Sequence, residues 1–275
     1  MTGHAPIHSL TGLSVRPGGM AETHRALAEE TPVALVYNGT TQAVMMASPQ
    51  DIEDFAVGFS LTEGIVESRD QIESLEIVTH GPGLEARMWI AADRAEALAA
   101  RRRTMSGPVG CGLCGIDSLA EALRPVRSLA DVPLDLPAAE VDAAVTALRA
   151  AQRLHDRTRA VHAAGFWQAG RGLALLREDV GRHNALDKLA GAMARAAVPG
   201  HSGAVVLTSR VSVDMVQKTA VLGAPVLIAA SAPTAHAVRL CAEAGLTLVA
   251  QARGEGFELY TRPDRIRPDA TSHVA

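Results

Sequence analysis

The chain has 275 residues, of which 48% are hydrophobic and 20% are charged, and its formal net charge is −4. These values are typical of globular proteins and argue against wholesale disorder or a fibrous repeat. The balanced charge and the 3% aromatic content exclude a broad polyanion-binding surface and a base-stacking platform, so no nucleic-acid partner is predicted.

The first residues show no pattern of a helix or a strand. Residues 1–24 are rich in Gly, Pro, Thr and His without periodicity, and we interpret them as a flexible N-terminal tail. They lack the basic start and apolar run of a signal peptide. The longest apolar stretch, 221–238, is interrupted by Gly, Pro, Ser and His, so no membrane span is predicted. We expect a cytoplasmic protein without a membrane partner.

Residues 25–130 are interpreted as a smaller α+β subdomain. Asn38-Gly39 lies between two apolar runs and supplies the positive φ of a tight turn, which predicts a β-hairpin. Ser48 and Pro49 are typical of a helix N-cap and first helical position, and Gly64 of a helix stop. The predicted strands lie at 32–37, 42–47, 74–79 and 84–91, with helices from Pro49 to Gly64 and over 93–103.

Residues 131–275 are interpreted as a larger α/β subdomain. Three prolines in 125–137 mark the junction, and beyond it apolar runs alternate with helical patterns. This alternation predicts a largely parallel or mixed sheet with helices on its faces. The predicted strands lie at 161–168, 172–178, 204–208, 225–229 and 247–251, and the helices at 138–156, 182–197, 212–222 and 234–244.

The strongest chemical signal is the pair Cys111 and Cys114 in the glycine-rich loop GPVGCGLCG. Glycines leave the two sulfurs little shielded by neighbouring side chains. A helix predicted to start near Asp117 would favour a thiolate through its dipole, although the Asp117 carboxylate opposes this. A thiolate in this position is suited to act as a nucleophile or a sulfur carrier.

Three other interpretations of the cysteine pair remain open. A structural or hydrolytic zinc site needs further ligands, and only Cys241 and scattered histidines remain. A thioredoxin-like dithiol usually follows a strand, whereas a helix is predicted before this loop. The pair could also be inert, although exposed free thiols are a liability. Cys241 lies in an apolar helix and is predicted to be a small buried core residue.

His162 resembles one part of a zinc deaminase motif. Those enzymes carry His-x-Glu followed by Pro-Cys-x-x-Cys. Here Ala164 occupies the position of the Glu, and the Cys-x-x-Cys precedes His162 instead of following it. We therefore predict no metal site and interpret His162 as a buried histidine with satisfied hydrogen bonds.

Two polar segments follow predicted strands, where ligands of α/β sheets usually bind. Arg182 and His183 begin a helix, and positive charge at that end opposes the dipole, which favours an anionic ligand. Ser209 and Arg210 repeat this arrangement after the next strand. The plainer interpretation of the first segment is a solvated cap that uses Asp179.

A third segment, 250–256, follows the last predicted strand. Its glycines allow a ligand to approach the backbone, and Arg253 can pair with a phosphate. A plain hairpin turn is equally compatible with it. The candidate binding residues of this segment are Ala250, Gln251, Ala252, Arg253, Gly254 and Glu255.

Together these segments resemble the formate dehydrogenase accessory sulfurtransferases, the FdhD family. The combination is far more specific than any one motif, and it spans about residues 32–262. The matching stretches are 54–59 (DFAVGF), 111–115 (CGLCG), 161–165 (VHAAG), 178–188 (EDVGRHNALDK), 209–212 (SRVS) and 252–254 (ARG).

The resemblance implies a fold, an activity and partners. The fold is a cytidine-deaminase-like three-layer α/β/α sandwich with a smaller N-terminal α+β subdomain, without deaminase activity. A cysteine desulfurase supplies sulfur, which passes as a persulfide to the molybdenum cofactor before that cofactor enters formate dehydrogenase. Cys111 matches the persulfide carrier and Cys114 its partner, and 250–255 matches the region for the bis-molybdopterin guanine dinucleotide form. A homodimer is also implied. The alternative function is a non-catalytic chaperone that only holds the cofactor.

Overall fold

The computed structural model describes residues 4–104, 126–254 and 256–268, and these form two main β-sheets. A separate hairpin precedes both sheets. In chain order, the first elements are β1 (Ile7–Arg16), β2 (Gly19–Ala28), β3 (Thr31–Tyr37), β4 (Thr40–Ala47), α1 (Ile52–Thr62), β5 (Ile72–His80), β6 (Gly83–Ile90) and α2 (Ala92–Thr104). The strands β3 to β6 form a four-stranded sheet in the order β4-β3-β6-β5.

This sheet packs one face on α1. Alternate residues of β3, Val33, Leu35 and Tyr37, are buried, and they cluster with Phe55 of α1. The period of two agrees with a half-buried strand. The predicted hairpin at Asn38-Gly39 is confirmed, and both residues have positive φ.

The prediction of an irregular tail over 1–24 is wrong in its secondary structure, because β1 and β2 form a regular antiparallel hairpin. The alternation that normally reveals a strand is absent, since the hairpin covers no core. Leu13, Val15 and Met20 are about 70% exposed. Backbone pairing along the full length of the hairpin, from Ile7–Ala28 to Arg16–Gly19, defines these two strands.

The predicted start of α1 is also wrong. The N-cap is Asp51, in the left-handed region with φ 55°, and not Ser48. Ser48 instead binds a residue far away in the sequence, because its backbone N–H donates to Asp179 Oδ2 at 2.9 Å. The predicted stop is confirmed, because Gly64 follows the helix with φ +67°.

The larger sheet has six strands in the order β13-β12-β11-β10-β8-β9. Strands β10, β11 and β12 are parallel, and β8, β9 and β13 run antiparallel to their neighbours. The elements of this part are β7 (Leu136–Pro137), α3 (Ala138–Ala150), α4 (Arg153–Thr158), β8 (His162–Gln168), β9 (Gly172–Asp179), α5 (Arg182–Arg195), β10 (Ala204–Leu207), α6 (Val213–Leu222), β11 (Val226–Ala229), α7 (Ala235–Glu243), β12 (Thr247–Ala250), β13 (Glu258–Thr261) and β14 (Ile266–Arg267).

Helices cover both faces of this sheet. Val205 and Leu207 of β10 cluster with residues of α5, α6 and α7, whereas Ala204 and Val206 cluster with residues of α3. The predicted mixed sheet with helices on its faces is confirmed. The single helix predicted over 138–156 is instead α3 and α4, because the Glu178 carboxylate accepts the first backbone amides of α4.

The two sheets are joined mainly where α1 packs across α5. Charged side chains also cross this junction. Asp54 of α1, which is 3% exposed, pairs with Arg177 and Arg195. None of the helices in the described ranges combines the length and apolar character needed to cross a membrane.

Candidate functional site

One edge of the six-stranded sheet collects the residues that the sequence singles out. The parallel strands β10, β11 and β12 all end there, and β8 begins there because it runs antiparallel to β10. At about 4.8 Å per strand, the distance along this edge from β8 to β12 is about 14 Å. We call it the carboxyl edge, and it is formed by His162, 179–183, 208–210, 230–231 and 251–254.

A short turn, 179–184, occupies the β9 end of this edge. Its first residue, Asp179, is fully buried, and its Oδ1 accepts hydrogen bonds from the Gly181 backbone N–H at 2.8 Å and from Asn184 Nδ2 at 3.0 Å. The plainer interpretation of this segment as a solvated cap is wrong, because Asp179 is buried and the N-cap of α5 is Gly181, without a side-chain cap hydrogen bond. The side chains of Arg182 and His183 take no part in the hydrogen bonds that close the turn.

Arg182 and His183 both carry a buried nitrogen without a hydrogen-bond partner among the described residues, namely Arg182 Nε and His183 Nε2. His183 Nε2 lies 3.7 Å from Asp214 Oδ2, which is beyond hydrogen-bond length. The interaction with this imidazole lowers the pKa of Asp214. Buried donors without partners are rare in folded proteins, so these two nitrogens are suited to receive an acceptor atom of a ligand.

His162, the first residue of β8, stands opposite Asp179 in the sheet register. It is only partly buried, and within the described part of the chain its ring has no hydrogen-bond partner, so the prediction of a satisfied buried histidine is wrong. Burial lowers its pKa, and the positive charges of Arg182, His155 and His183 lower it further. A neutral imidazole therefore faces the same edge as Arg182.

Ser209 and Arg210 lie at the end of β10. Ser209 is buried and its hydroxyl donates to the Arg210 carbonyl at 3.1 Å. Arg210 is exposed and forms no ion pair within the described ranges. The two residues thus share the carboxyl edge with Arg182 and His183, and Arg210 adds a cation open to solvent.

The segment after β12 contributes the far end of the edge. Ala250 and Ala252 are buried, and Arg253 is exposed with its Nε donating to the Ala230 carbonyl at 2.7 Å. Gln251 and Gly254 have positive φ, and the Arg253 N–H donates to the Gly256 carbonyl. The hairpin-turn interpretation is therefore confirmed, and the ligand-binding role of the segment remains a prediction. Glu255 lies outside the described residues.

Both cysteines of the predicted reactive pair, Cys111 and Cys114, lie outside the described residues. The third, Cys241, is fully buried in α7, and burial raises the pKa of its thiol to about 12. Its prediction as a core residue is confirmed. Among residues 4–104, 126–254 and 256–268, no three His, Cys, Asp or Glu side chains come together in a way that could hold a metal ion.

Sequence reasoning missed two residues behind this edge, Ser48 and Lys188. The Lys188 side chain is fully buried, and its Nζ contacts Asp179 Oδ2 at 2.7 Å and the Ser48 carbonyl at 2.8 Å. Burial lowers the pKa of Lys188, and the Asp179 carboxylate opposes that shift. The sequence signal for Lys188 is its spacing of four residues from Asn184, which places both side chains on the same face of a predicted helix.

An open cavity of about 580 Å³ lies at the opposite edge of the sheet and is lined by 130–135, Arg262, Asp264 and Arg265. Its charged groups are largely engaged with one another. Arg262 pairs with Asp264 at 2.9 Å, and the guanidinium of Arg265 donates to the backbone carbonyls of Leu129, Val132 and Pro225. Neither Arg262 nor Arg265 is among the residues with a buried, unpartnered side-chain nitrogen, whereas Arg182 and His183 of the carboxyl edge are.

Known proteins resemble this chain over nearly its whole length. Residues 28–267 match the model of the FdhD/NarQ family. A sulfur carrier protein FdhD of Agrobacterium fabrum is 55% identical over 253 residues, which cover 92% of this chain and 93% of the relative. A protein of the same name from Bordetella petrii is 47% identical over 257 residues, covering 93% and 92%.

A solved structure also resembles this chain in its fold. A crystal structure from Desulfotalea psychrophila, of a protein described as a formate dehydrogenase accessory protein, superposes on this chain with a TM-score of 0.74. It is 27% identical in sequence, and the match covers 96% of this chain and all of the other.

Proposed function

Because the chain belongs to the FdhD/NarQ family, we propose that it is a sulfur carrier for the maturation of formate dehydrogenase. The observation that carries this proposal is the pair Cys111 and Cys114, which lies inside the matched range of a chain 55% identical to a sulfur carrier protein. The proposed sulfur donor is a cysteine desulfurase, and the acceptor is the molybdenum cofactor in its bis-molybdopterin guanine dinucleotide form, bound as a substrate.

The proposed loading step is a thiol exchange. The Cys111 thiolate attacks the outer sulfur of the desulfurase persulfide, a new S–S bond forms on Cys111, and the donor cysteine leaves as a thiolate. No net oxidation takes place, because the outer sulfur keeps its oxidation state. Cys111 then holds a persulfide.

The proposed release step uses Cys114. Its thiolate attacks the inner sulfur of the Cys111 persulfide, the outer sulfur leaves as sulfide toward molybdenum, and a Cys111–Cys114 disulfide forms. The two electrons that reduce the sulfur come from the two cysteines. A thiol reductant must then reopen the disulfide before the next cycle.

The carboxyl edge is the proposed place of the cofactor. The diphosphates of a dinucleotide need donors that are not already paired, and Arg182, His183 and Arg210 supply them at one end of the edge. Arg253 and 250–254 follow β12, which is two strand spacings, about 10 Å, from β10 and four, about 19 Å, from β9. An extended anionic ligand of dinucleotide size would span these distances.

The order β9-β8-β10-β11-β12-β13, with helices on both faces, supports the proposed relation to the deaminase-like three-layer fold. The absence of a Glu at Ala164 supports a chain without deaminase activity. We also propose a cytoplasmic location and a homodimer, as the resemblance implies, with the desulfurase and formate dehydrogenase as transient partners.

Formate dehydrogenase activity in cells tests the proposal against the chaperone alternative. Cells that lack their own copy of this gene receive the wild type, Cys111→Ala, Cys114→Ala or, as the matched control, Cys241→Ala. A sulfur carrier loses activity with Cys111→Ala and keeps it with Cys241→Ala at equal protein levels. Full activity with Cys111→Ala would leave only the chaperone function.

A further inference from the structure

The turn that carries Arg182 and His183 is fixed from outside its own subdomain. Asp179, at the start of the turn, uses both oxygens of its carboxylate. Oδ1 binds the Gly181 N–H and Asn184 within the turn, while Oδ2 binds the Ser48 N–H at 2.9 Å and Lys188 Nζ at 2.7 Å. One fully buried side chain therefore ties the turn to the end of β4 and to α5.

Further bonds connect the same turn to β4. The Val180 N–H donates to Ser48 Oγ at 3.2 Å, and Asn184 Nδ2 donates to the Met46 carbonyl at 2.8 Å. A Cβ on Gly181 would stand 2.9 Å from Asn184 Nδ2, so a larger residue there would have to displace that side chain. The backbone before Arg182 thus has little freedom to move.

A buried ion pair adds little net stability to a fold. Desolvation of both charges offsets their attraction, and an apolar pair of similar size often gives equal or greater stability. The pair Asp179–Lys188 lies immediately behind the unpartnered nitrogens Arg182 Nε and His183 Nε2. Its position suggests that it is retained for geometry and not for stability.

We propose that Asp179, held in place by Lys188, is a positioning residue that fixes Arg182 and His183 for the anionic ligand of the carboxyl edge. This inference rests on the proposed function, since it assumes that the edge binds the cofactor nucleotide. It also gives the residue that follows β4 a part in the site, because the Ser48 backbone N–H helps to hold Asp179.

A second buried pair on α5 provides a matched control. Asp187 Oδ1 contacts Lys218 Nζ at 2.8 Å, and both residues are at least 94% buried. Burial raises the pKa of Asp187, whereas Asp187 and Glu63 raise the pKa of Lys218 against the effect of burial. This pair connects α5 and α6 to Thr62 at the end of α1, and it makes no contact with the turn.

The test compares two double variants, Asp179→Asn/Lys188→Met and Asp187→Asn/Lys218→Met. Each removes one buried carboxylate and one buried ammonium, and the second also removes the contact of Lys218 with Glu63, whose side chain is 21% exposed. In the first variant, the Asn amide nitrogen faces either the Gly181 N–H or the Ser48 N–H, and two donors in contact repel each other. Affinity for guanosine diphosphate is measured by calorimetry, and folding by the cooperativity of thermal unfolding.

The expected result is a loss of affinity of about tenfold or more, equal to about 1.4 kcal/mol, for the Asp179→Asn/Lys188→Met protein only. The control double variant is expected to bind within about twofold, which corresponds to about 0.4 kcal/mol. Asn184→Ala removes two bonds of the turn without altering either charge, so it is expected to weaken binding even if the first double variant fails to fold.

Three results would overturn the inference. Equal weakening in both double variants would reduce the role of Asp179 to general stability. Unchanged affinity in Asp179→Asn/Lys188→Met and in Asn184→Ala would remove the positioning role while leaving the proposed function intact. A wild type that does not bind guanosine diphosphate would overturn the cofactor site together with this role.

Discussion

Gly58 of α1 and Gly191 of α5 lie against each other's helix backbone at the point where the two main sheets are joined. A Cβ on Gly58 would stand 1.7 Å from the Asp187 carbonyl oxygen, and a Cβ on Gly191 would stand 1.9 Å from the Asp54 carbonyl oxygen. No rotation of a side chain relieves either overlap, since the neighbouring atoms belong to backbone. The glycines therefore set the distance between the helices, and with it the approach of Ser48 to Asp179.

Gly58→Ala and Gly191→Ala are expected to lower the free energy of unfolding by at least about 3 kcal/mol each, the upper range of overpacking. Alanine favours a helix over glycine by about 1 kcal/mol, so any loss runs against propensity. Urea unfolding measures the free energy of unfolding of each variant. Gly12→Ala is the control, because its Cβ meets only a side-chain carbon at 3.9 Å and stability should hardly change. Wild-type stability in both helix variants would contradict the close crossing.

Arg265 is predicted to anchor the segment that precedes α3. It is 3% exposed, and its guanidinium donates to the carbonyls of Leu129, Val132 and Gly245. Arg265→Met should cost about 2–4 kcal/mol, because several buried carbonyls lose their donor. The control is Arg267→Met, which breaks only an exposed pair with Asp135 and should cost at most about 1 kcal/mol. Similar losses in chemical denaturation of the two variants would contradict the anchoring role.

His162 is expected to make the protein less stable in mild acid. Its folded-state pKa is lowered, mainly by burial, so below about pH 6.5 the unfolded chain binds this proton more readily than the folded protein does. The free energy of unfolding is therefore highest above that pH, where the imidazole is neutral in both states, and it decreases as the pH falls.

His162→Gln should therefore show a smaller fall in the free energy of unfolding between pH 7.5 and pH 5.5 than the wild type. The control, His236→Gln, alters an exposed histidine of α7 and should follow the wild type. Parallel curves for all three proteins would show that His162 does not titrate differently in the folded and unfolded states.

Cys241 is expected to resist alkylation in the folded protein. It is fully buried and its pKa is raised to about 12, so at pH 8 almost none of it is thiolate. Iodoacetamide followed by peptide mapping should leave Cys241 unmodified in buffer and modify it in 8 M urea, a concentration of about the order that unfolds small domains. Rapid native modification would contradict its burial.

The sequence was informative where local pattern and tertiary structure agree. The alternation in β3 and the apolar runs of β10, β11 and β12 show which residues are buried. Arg182, Arg210 and Arg253 were found from the sequence because each follows a predicted strand, where ligands of α/β sheets usually bind.

The sequence was uninformative where distant segments decide the outcome. Ser48 has the local signature of an N-cap, yet Asp179, 131 positions away, takes its N–H. Lys188 reads as one polar residue in an amphipathic helix, and only the fold shows its partner. The hairpin β1–β2 covers no core, so no hydrophobic pattern marked it.

The most direct test of the central claim is the mass of the intact protein after incubation with a cysteine desulfurase and cysteine, without reductant. The account predicts one added sulfur atom on the wild type and on Cys241→Ala, and none on Cys111→Ala. A wild type that gains no sulfur, or a Cys111→Ala protein that gains it as readily, would contradict the assignment of Cys111 as the carrier.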